Sequence, residues 1–434
     1  MMKKKSLVIG FILFVSAIGF AQEISFSGTL GTDLGCYAPG TENAGDFSMG
    51  KIDFTGAIEA YTGNGTLFIE GSIENDFISD SLSFDLSEAY IDYSDSFWGV
   101  RIGQQKVAWG KADGIKITDS VFPEDPSLLG DEDDSVAIKA IRLSINGNSF
   151  IVDGFVIPFF TGTKLPLEKN NPLKKAILPD SVKLSQNGTE NNVPLNIGEL
   201  SKPELNLKNM EYGLKASGYF SFCDFSLYGF YGWDKMPVLS YQVNTVLHPV
   251  YNVEVPESLT VYGEYKRLAM AGFDIAVPVG AVVLRGETAF FYNRAFQSST
   301  SAIMKGEKNS VTRNQMMALA GFDWMPDGWT ITAQYYCDLL FAKSSDIERT
   351  DAFEHGATLS ISKSLMNDLL DFSFSGVVGF NYFDSALSTS LKYKLTDQIG
   401  ITAGTDIFRP GFENGTYGKF KDLSSIYLKV EYRW

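Results

Sequence analysis

The segment WTITAQYYCDL (Trp329–Leu339) alternates without a break. Trp329, Ile331, Ala333, Tyr335, Cys337 and Leu339 fall on one side of an extended chain. Thr330, Thr332, Gln334, Tyr336 and Asp338 fall on the other. A period of two marks a strand with one apolar and one wet face. Met210, Tyr212, Leu214, Ala216, Gly218 and Phe220 repeat it against Glu211, Lys215, Ser217 and Tyr219, as do Leu67, Ile69, Gly71, Ile73 and Phe77 against Phe68, Glu70, Ser72, Glu74 and Asp76.

Outward from this segment the same period recurs 18 times, near residues 23–36, 46–60, 65–77, 84–94, 97–108, 136–146, 148–158, 209–221, 223–233, 264–277, 281–292, 314–325, 328–340, 354–364, 369–382, 384–395, 398–409 and 421–434. Most segments are 11 to 15 residues long, against about 5–6 for globular strands. A tilted strand crosses a bilayer in about 9–11 residues.

The connections sort by length. Every second one is short, at 61–64, 94–96, 147, 222, 278–280, 326–327, 365–368 and 396–397, and these carry the Gly, Asn, Asp and Pro that turns demand. Most of the others are long: 109–135, 159–208, 234–263, 293–313, 341–353 and 410–420. A soluble sandwich has no reason to sort its loops in this way. Outer-membrane barrels do, with short turns on one side and long external loops on the other. In hydrocarbon every backbone N–H and C=O needs an internal partner, so such strands must close. The expected fold is all-β: a single transmembrane antiparallel up-and-down barrel of about 18 strands over 22–434, with 109–135, 159–208 and 234–263 as long external loops. Tyr37, Tyr61, Tyr93, Trp98, Trp233, Tyr292, Trp324, Trp329, Tyr382, Tyr432 and Trp434 lie near strand ends, where interfacial aromatic girdles belong.

The chain has 434 residues, 20% of them charged, with 33 Phe, 20 Tyr, 41 Gly, 3 Cys and 2 His. Ordinary soluble domains carry roughly 25% charged residues. So apolar and aromatic a chain is not disordered. Its net charge of −16 argues against a nucleic-acid partner, and so few His and Cys leave little for a metal site. Residues 1–21 read as a secretory signal peptide: Lys3, Lys4 and Lys5, an apolar stretch over Leu7–Phe20, and a small–x–small site at Gly19-Phe20-Ala21. Without those lysines, 33 basic residues face 52 acidic ones, for −19. The expected location is the bacterial outer membrane. At the other end Ile426, Leu428, Val430, Tyr432 and Trp434 alternate with Ser425, Tyr427, Lys429, Glu431 and Arg433. This resembles the terminal strand of bacterial outer-membrane proteins that the barrel-assembly machinery reads, which makes Tyr432 and Trp434 candidates for an assembly signal.

The inward faces carry both signs: Glu70, Glu74, Glu88, Asp92, Glu211, Asp274, Glu287 and Asp338 against Arg101, Arg142, Lys215, Arg285, Lys392 and Lys429. Inward charge implies a hydrated or polar-filled interior, and charged rings tune the selectivity of a pore. Arg101, Gln105, Arg142, Lys215, Arg285, Glu287, Glu70 and Glu74 are the expected pore-lining residues.

Residues 101–126 are the most distinctive, with Arg101, Gly103, Gln104, Gln105, Trp109, Gly110, Lys111, Asp113, Gly114, Thr118, Asp119, Pro123, Asp125 and Pro126. The Gly-x-Gln-x-x-x-Trp-Gly run and the Asp/Thr/Pro loop after it resemble porin-like outer-membrane barrels of the alginate-porin and phosphate-selective-porin type. A second similarity covers Tyr265-Lys266-Arg267 through Asp274, and Leu284-Arg285-Gly286-Glu287. That family's strand usually reads Gly-Arg-Gln, whereas this chain carries Gln104 at the Arg position. The resemblance implies a solute-conducting barrel whose 109–135 loop, with Trp109, Gly110, Asp113 and Asp119, folds toward the lumen.

Other signals are weaker. Asp131-Glu132-Asp133-Asp134 reads as a solvated acidic loop or a divalent-cation site. Cys223 and Cys337 alternate onto lipid-facing positions, and no disulfide framework is expected with Cys36. His248 and His355 lie in or beside loops; a Ser/His pair of His355 with Ser360 or Ser362 lacks any nucleophile motif. The expected activity is passive diffusion of small solutes, with no cofactor and no catalysis. The alternatives are a transporter for hydrophobic molecules and a non-conducting surface or adhesive barrel. The partners are outer-membrane lipid, the assembly machinery and small solutes. Oligomeric state is left open.

Overall fold

The computed structural model describes residues 22–126, 134–167, 171, 173–174, 178, 180–186, 189–247, 253–305, 307–349, 351–412 and 415–434. The chain forms β1 (Glu23–Tyr37), β2 (Phe47–Thr62), β3 (Gly65–Asp76), β4 (Ser81–Ser94), β5 (Trp98–Gln105), β6 (Ile138–Asn146), β7 (Phe150–Phe159), β8 (Ser181–Gln186), β9 (Thr189–Ser201), β10 (Glu211–Tyr219) and β11 (Asp224–Trp233). It continues with β12 (Val238–Leu247), β13 (Glu254–Glu264), β14 (Arg267–Val279), β15 (Val282–Gln297), β16 (Ser310–Trp324), β17 (Trp329–Leu340), β18 (Phe353–Leu365), β19 (Leu370–Gly379), β20 (Asp384–Lys394), β21 (Ile399–Arg409) and β22 (Ser425–Arg433).

Eighteen of these form one antiparallel sheet in which each strand pairs with the next. β7 passes to β10, β11 to β14, and β22 returns to β1 with Thr29 opposite Arg433 and Tyr37 opposite Ser425. The closed barrel expected from the alternation is therefore what forms, each expected segment matching one barrel strand. The last strand starts at Ser425 rather than near 421, because residues Gly418–Leu423 make a 3-10 turn.

Closure puts the two faces of each strand in different solvents. Leu30, Leu143, Leu214, Leu284 and Leu391 stand outward with about half their surface exposed. Exposed apolar surface on that scale marks a lipid-facing wall. Tyr61, Tyr93, Trp98, Tyr292, Trp324, Tyr432 and Trp434 are exposed near the ends of that wall. Trp233 follows the exposed Leu227 and Tyr231 on the outward face of β11 and donates its indole N–H to the Asn209 carbonyl at 3.0 Å, under the Arg267 guanidinium. One barrel end is closed by eight turns of two to four residues. The other carries the long connections.

Two of those long connections hold structure beyond what alternation shows. The 160–210 and 234–266 connections contribute β8, β9, β12 and β13 to a separate four-stranded sheet, in which β13 runs parallel to β9. Pro194 and Pro256 inside strands, and a register shift at Asn244/Thr245, hide them from a search for unbroken alternation. Cys36, Cys223 and Cys337 are free thiols. Cys337 lies on the outward side of β17. Cys223 departs from the expected lipid exposure: it sits in the turn between β10 and β11 and is buried.

Candidate functional site

β5 ends at Gln105, and the chain then turns into the barrel rather than away from it. The Lys106 N–H donates to Glu88 at 2.7 Å. Trp109 inserts among inward side chains, with ring centroids 4.9 Å from Phe122, 5.0 Å from Tyr228 and 6.0 Å from Phe155. Ile117, Val121 and Phe122 from the same loop join Ile138, Phe155, Tyr228, Phe230, Leu268, Met270, Phe291 and Leu319 in one buried cluster. Among the described residues, this apolar cluster lies along the wall from β6 to β16, where the loop covers it. Burying a large apolar side chain of this kind stabilises by about 1.5–3 kcal/mol, so the loop docks as a packed element.

Polar anchors fix its position. The Glu287 carboxylate, almost fully buried, accepts from the N–H groups of Lys111 (2.6 Å), Ala112 (2.9 Å) and Thr118 (2.9 Å), and from the Thr118 hydroxyl at 2.8 Å. Gly110, at φ +79°, donates to the Tyr228 hydroxyl at 3.0 Å, which in turn donates to Asp274. The Lys111 ammonium lies 3.4 Å from Asp274. At the loop tip the Asp113 N–H donates to Gln334 at 3.2 Å, and Arg285 clamps the Lys111 carbonyl (2.9 Å) and the Asp113 carboxylate (2.8 Å) while also pairing with Asp323.

Two loop carboxyls are held above their ordinary range. Asp113 is raised by burial, against the Arg285 charge. Asp119 is pushed up to about 7, first by burial and then by Glu287, with Lys116 opposing. On the long-loop side, Lys116 pairs with Glu124 (3.3 Å) and Asp134 (2.6 Å). There a cavity of about 230 Å³ opens between the loop and Asp234, Lys235, Arg294 and Asp338. Its walls are cross-linked: Lys235 meets Glu211 at 2.7 Å and Arg294 meets Asp234 at 2.7 Å.

The remaining inner wall, from β18 through β22 to β4, stays uncovered by this loop. It presents hydroxyls at Ser360, Ser373, Ser375, Ser388, Ser390 and Thr402 and charges at Asp33, Lys51, Glu74, Lys392, Lys429 and Glu431. Lys51 bridges Glu74 (3.2 Å) and Asp33 (3.6 Å), and Lys392 pairs with Glu431. At the boundary Arg101 pairs with Asp92 at 2.5 Å over the Tyr90 ring, and Arg142 approaches the same carboxylate at 3.7 Å. Lys215 lies over Tyr228.

The expected lining residues divide accordingly. Arg101, Arg142, Lys215, Arg285, Glu70 and Glu74 stay partly accessible within the barrel. Gln105 and Glu287 point inward but do not line water. Gln105 is fully buried, donating to the Ala140 carbonyl at 3.1 Å, and Glu287 lies beneath the loop it binds. Trp109, Gly110, Asp113 and Asp119 come together as one docked segment. Tyr228, Asp274 and Gln334 complete the anchor. Their inward alternation is readable in the sequence, but their loop partners are not. His355 faces outward against Tyr335, Phe353 and Phe380, on the opposite side of β18 from Ser360 and Ser362, so no Ser/His pair forms. His248 and Asp131–Asp133 lie outside the described residues.

No family model and no curated relative matches the chain. Solved structures do. OccD3 of Pseudomonas aeruginosa superposes with a TM-score of 0.53 at 9% identity, over 96% of this chain and 92% of that one. OccK8 of the same organism gives 0.52 at 11% identity over 96% and 99%. OccK2, solved in complex with glucuronate, gives 0.52 at 9% identity over 95% and 98%. These neighbours are outer-membrane porins. At such identities the likeness is one of fold.

Proposed function

We propose that this chain is an outer-membrane channel for passive diffusion of small hydrophilic solutes. The observation that carries this reading is the docked loop. It fills one side of an 18-stranded cylinder and leaves the other side walled by hydroxyls and charges of both signs. An 18-stranded barrel is wide enough for an aqueous lumen, and a loop packed inside narrows it to a selective path. The porin fold of the neighbours supports the reading. The binding of glucuronate by OccK2 supports a small polar solute. The 101–126 motif supports a place near the alginate- and phosphate-selective porins. Residues 1–21 then act as the export signal, and Tyr432 and Trp434 as the mark for barrel assembly. The polar uncovered wall does not favour hydrophobic cargo.

The test is single-channel recording of the refolded protein in a planar bilayer. Stable conductance steps that change with Arg101→Ala or Arg285→Ala support the channel. A correctly folded barrel that never conducts overturns it in favour of a surface-binding role.

A further inference from the structure

At the short-turn end, the outer wall of β16, β17 and β18 is not smooth. A groove of about 550 Å³ runs between Trp324, Trp329, Ile331, Ile361 and Lys363, floored at the turn by Pro326 and Asp327. The register places Trp324, Ile331 and Ile361 side by side on three neighbouring strands. Trp329 and Lys363 form the next rung toward the rim. The two rungs are two residues apart, about 7 Å along the strand. The groove is therefore aromatic and charged at its outer end, with Trp324 and the two isoleucines on the rung nearer the middle of the wall.

Among the described residues, neither of its two charges has an ion-pair partner. The Lys363 ammonium lies 4.7 Å from the Trp329 ring centroid and makes no salt bridge among the described residues. Asp327, held at φ +47° in the turn, makes none either. Other strand cations of this barrel are cross-linked, Lys392 to Glu431 and Lys394 to Asp371 among them. A free cation and a free anion at one groove, at the level where an aromatic girdle meets the headgroups, call for a ligand that is itself a zwitterion.

We propose that this groove binds one aminophospholipid, a phosphodiester bearing a primary amine. Lys363 takes the phosphate and Asp327 takes the ammonium. The two indoles cover the glycerol region, and Ile331 and Ile361 receive the first methylenes of the acyl chains. What touches this wall in a bilayer is lipid, so the occupant is a membrane phospholipid rather than a free phosphate. Charge complementarity selects its headgroup: an anionic lipid leaves Asp327 opposed by negative charge, and a quaternary amine cannot donate a hydrogen bond to it.

The experiment uses the full barrel in detergent, mixed separately with phosphatidylethanolamine, phosphatidylglycerol and phosphatidylcholine, with retained lipid counted by native mass spectrometry. The expected result is several-fold greater retention of phosphatidylethanolamine. Lys363→Gln should abolish that retention and Lys363→Arg should preserve it. Asp327→Asn, which tolerates the left-handed backbone, should bring phosphatidylethanolamine level with phosphatidylglycerol. Heat-modifiable gel mobility confirms that each variant is folded. Equal retention of the three lipids by the unaltered protein, or unchanged retention by folded Lys363→Gln, overturns the proposal.

Discussion

The carboxylate of Glu287 occupies the space a side chain at Gly110 would need: a Cβ there would fall well inside contact distance of its Oε1 and Oε2 atoms. The two residues are far apart in sequence, one in the docked loop and one on the barrel wall, and each defines the other's place. Gly110 also sits at φ +79°, a conformation that costs an L-residue about 1–2 kcal/mol. Gly110→Ala therefore meets both strain and a clash, and the loop is expected to leave the wall. Limited proteolysis measures this: Lys111 and Lys116 should become trypsin sites in the variant and stay protected in the parent. Equal protection would show that the loop tolerates a Cβ there.

Glu287 itself offers a graded test. Removing it leaves three backbone N–H groups and one hydroxyl without their acceptor, and a hydrogen bond to a charged group contributes about 1.5–3 kcal/mol. Glu287→Ala should give a larger, noisier conductance. Glu287→Gln, whose amide keeps one accepting oxygen, should fall between. If both variants conduct like the parent, the carboxylate does not hold the loop.

Acidity should tighten the same loop. The Asp119 carboxyl titrates near 7 when the loop is docked, against 3.8 ordinarily, because burial and Glu287 disfavour its charge. A raised carboxyl favours the docked state while it is protonated. Its contribution is fully present below about 4 and is lost as pH rises to about 7, beyond which the docked loop carries the full cost of a buried charge. Current noise should thus be lower at pH 5 than at pH 8. Asp119→Asn should remove most of that difference. A pH-independent parent, or an undiminished dependence in the variant, would contradict the assignment.

The strands were legible because alternation is a local property: Trp329 to Leu339 declares its two faces without reference to the rest of the chain. The sheet of β8, β9, β12 and β13 was not, because its strands interrupt themselves with Pro194 and Pro256, slip register, and pair in parallel across two separate connections. The site was half legible for a related reason. Period two says that Gln105 and Glu287 point inward, but it cannot say what lies over them. Covering depends on where the 106–126 loop docks, which Trp109, Phe122 and Tyr228 decide in three dimensions.

Arg101 tests the open half of the lumen. Its guanidinium pairs with Asp92 at 2.5 Å and remains partly exposed, at the edge of the uncovered wall. Arg101→Ala leaves Asp92 with Arg142 alone, at 3.7 Å, and adds one net negative charge to the path. A monovalent ion passing about 7 Å away gains or loses about 0.6 kcal/mol at the dielectric of water, about a threefold change for each ion and, because cation and anion shift oppositely, about eightfold in their relative permeability. The reversal potential across a potassium chloride gradient should therefore shift toward cation selectivity. The shift should shrink in concentrated salt, since screening falls from about 10 Å at 0.1 M to about 3 Å at 1 M. No shift at low salt would place Arg101 off the ion path and confine permeation to the Ser- and Thr-lined wall of β18 to β21.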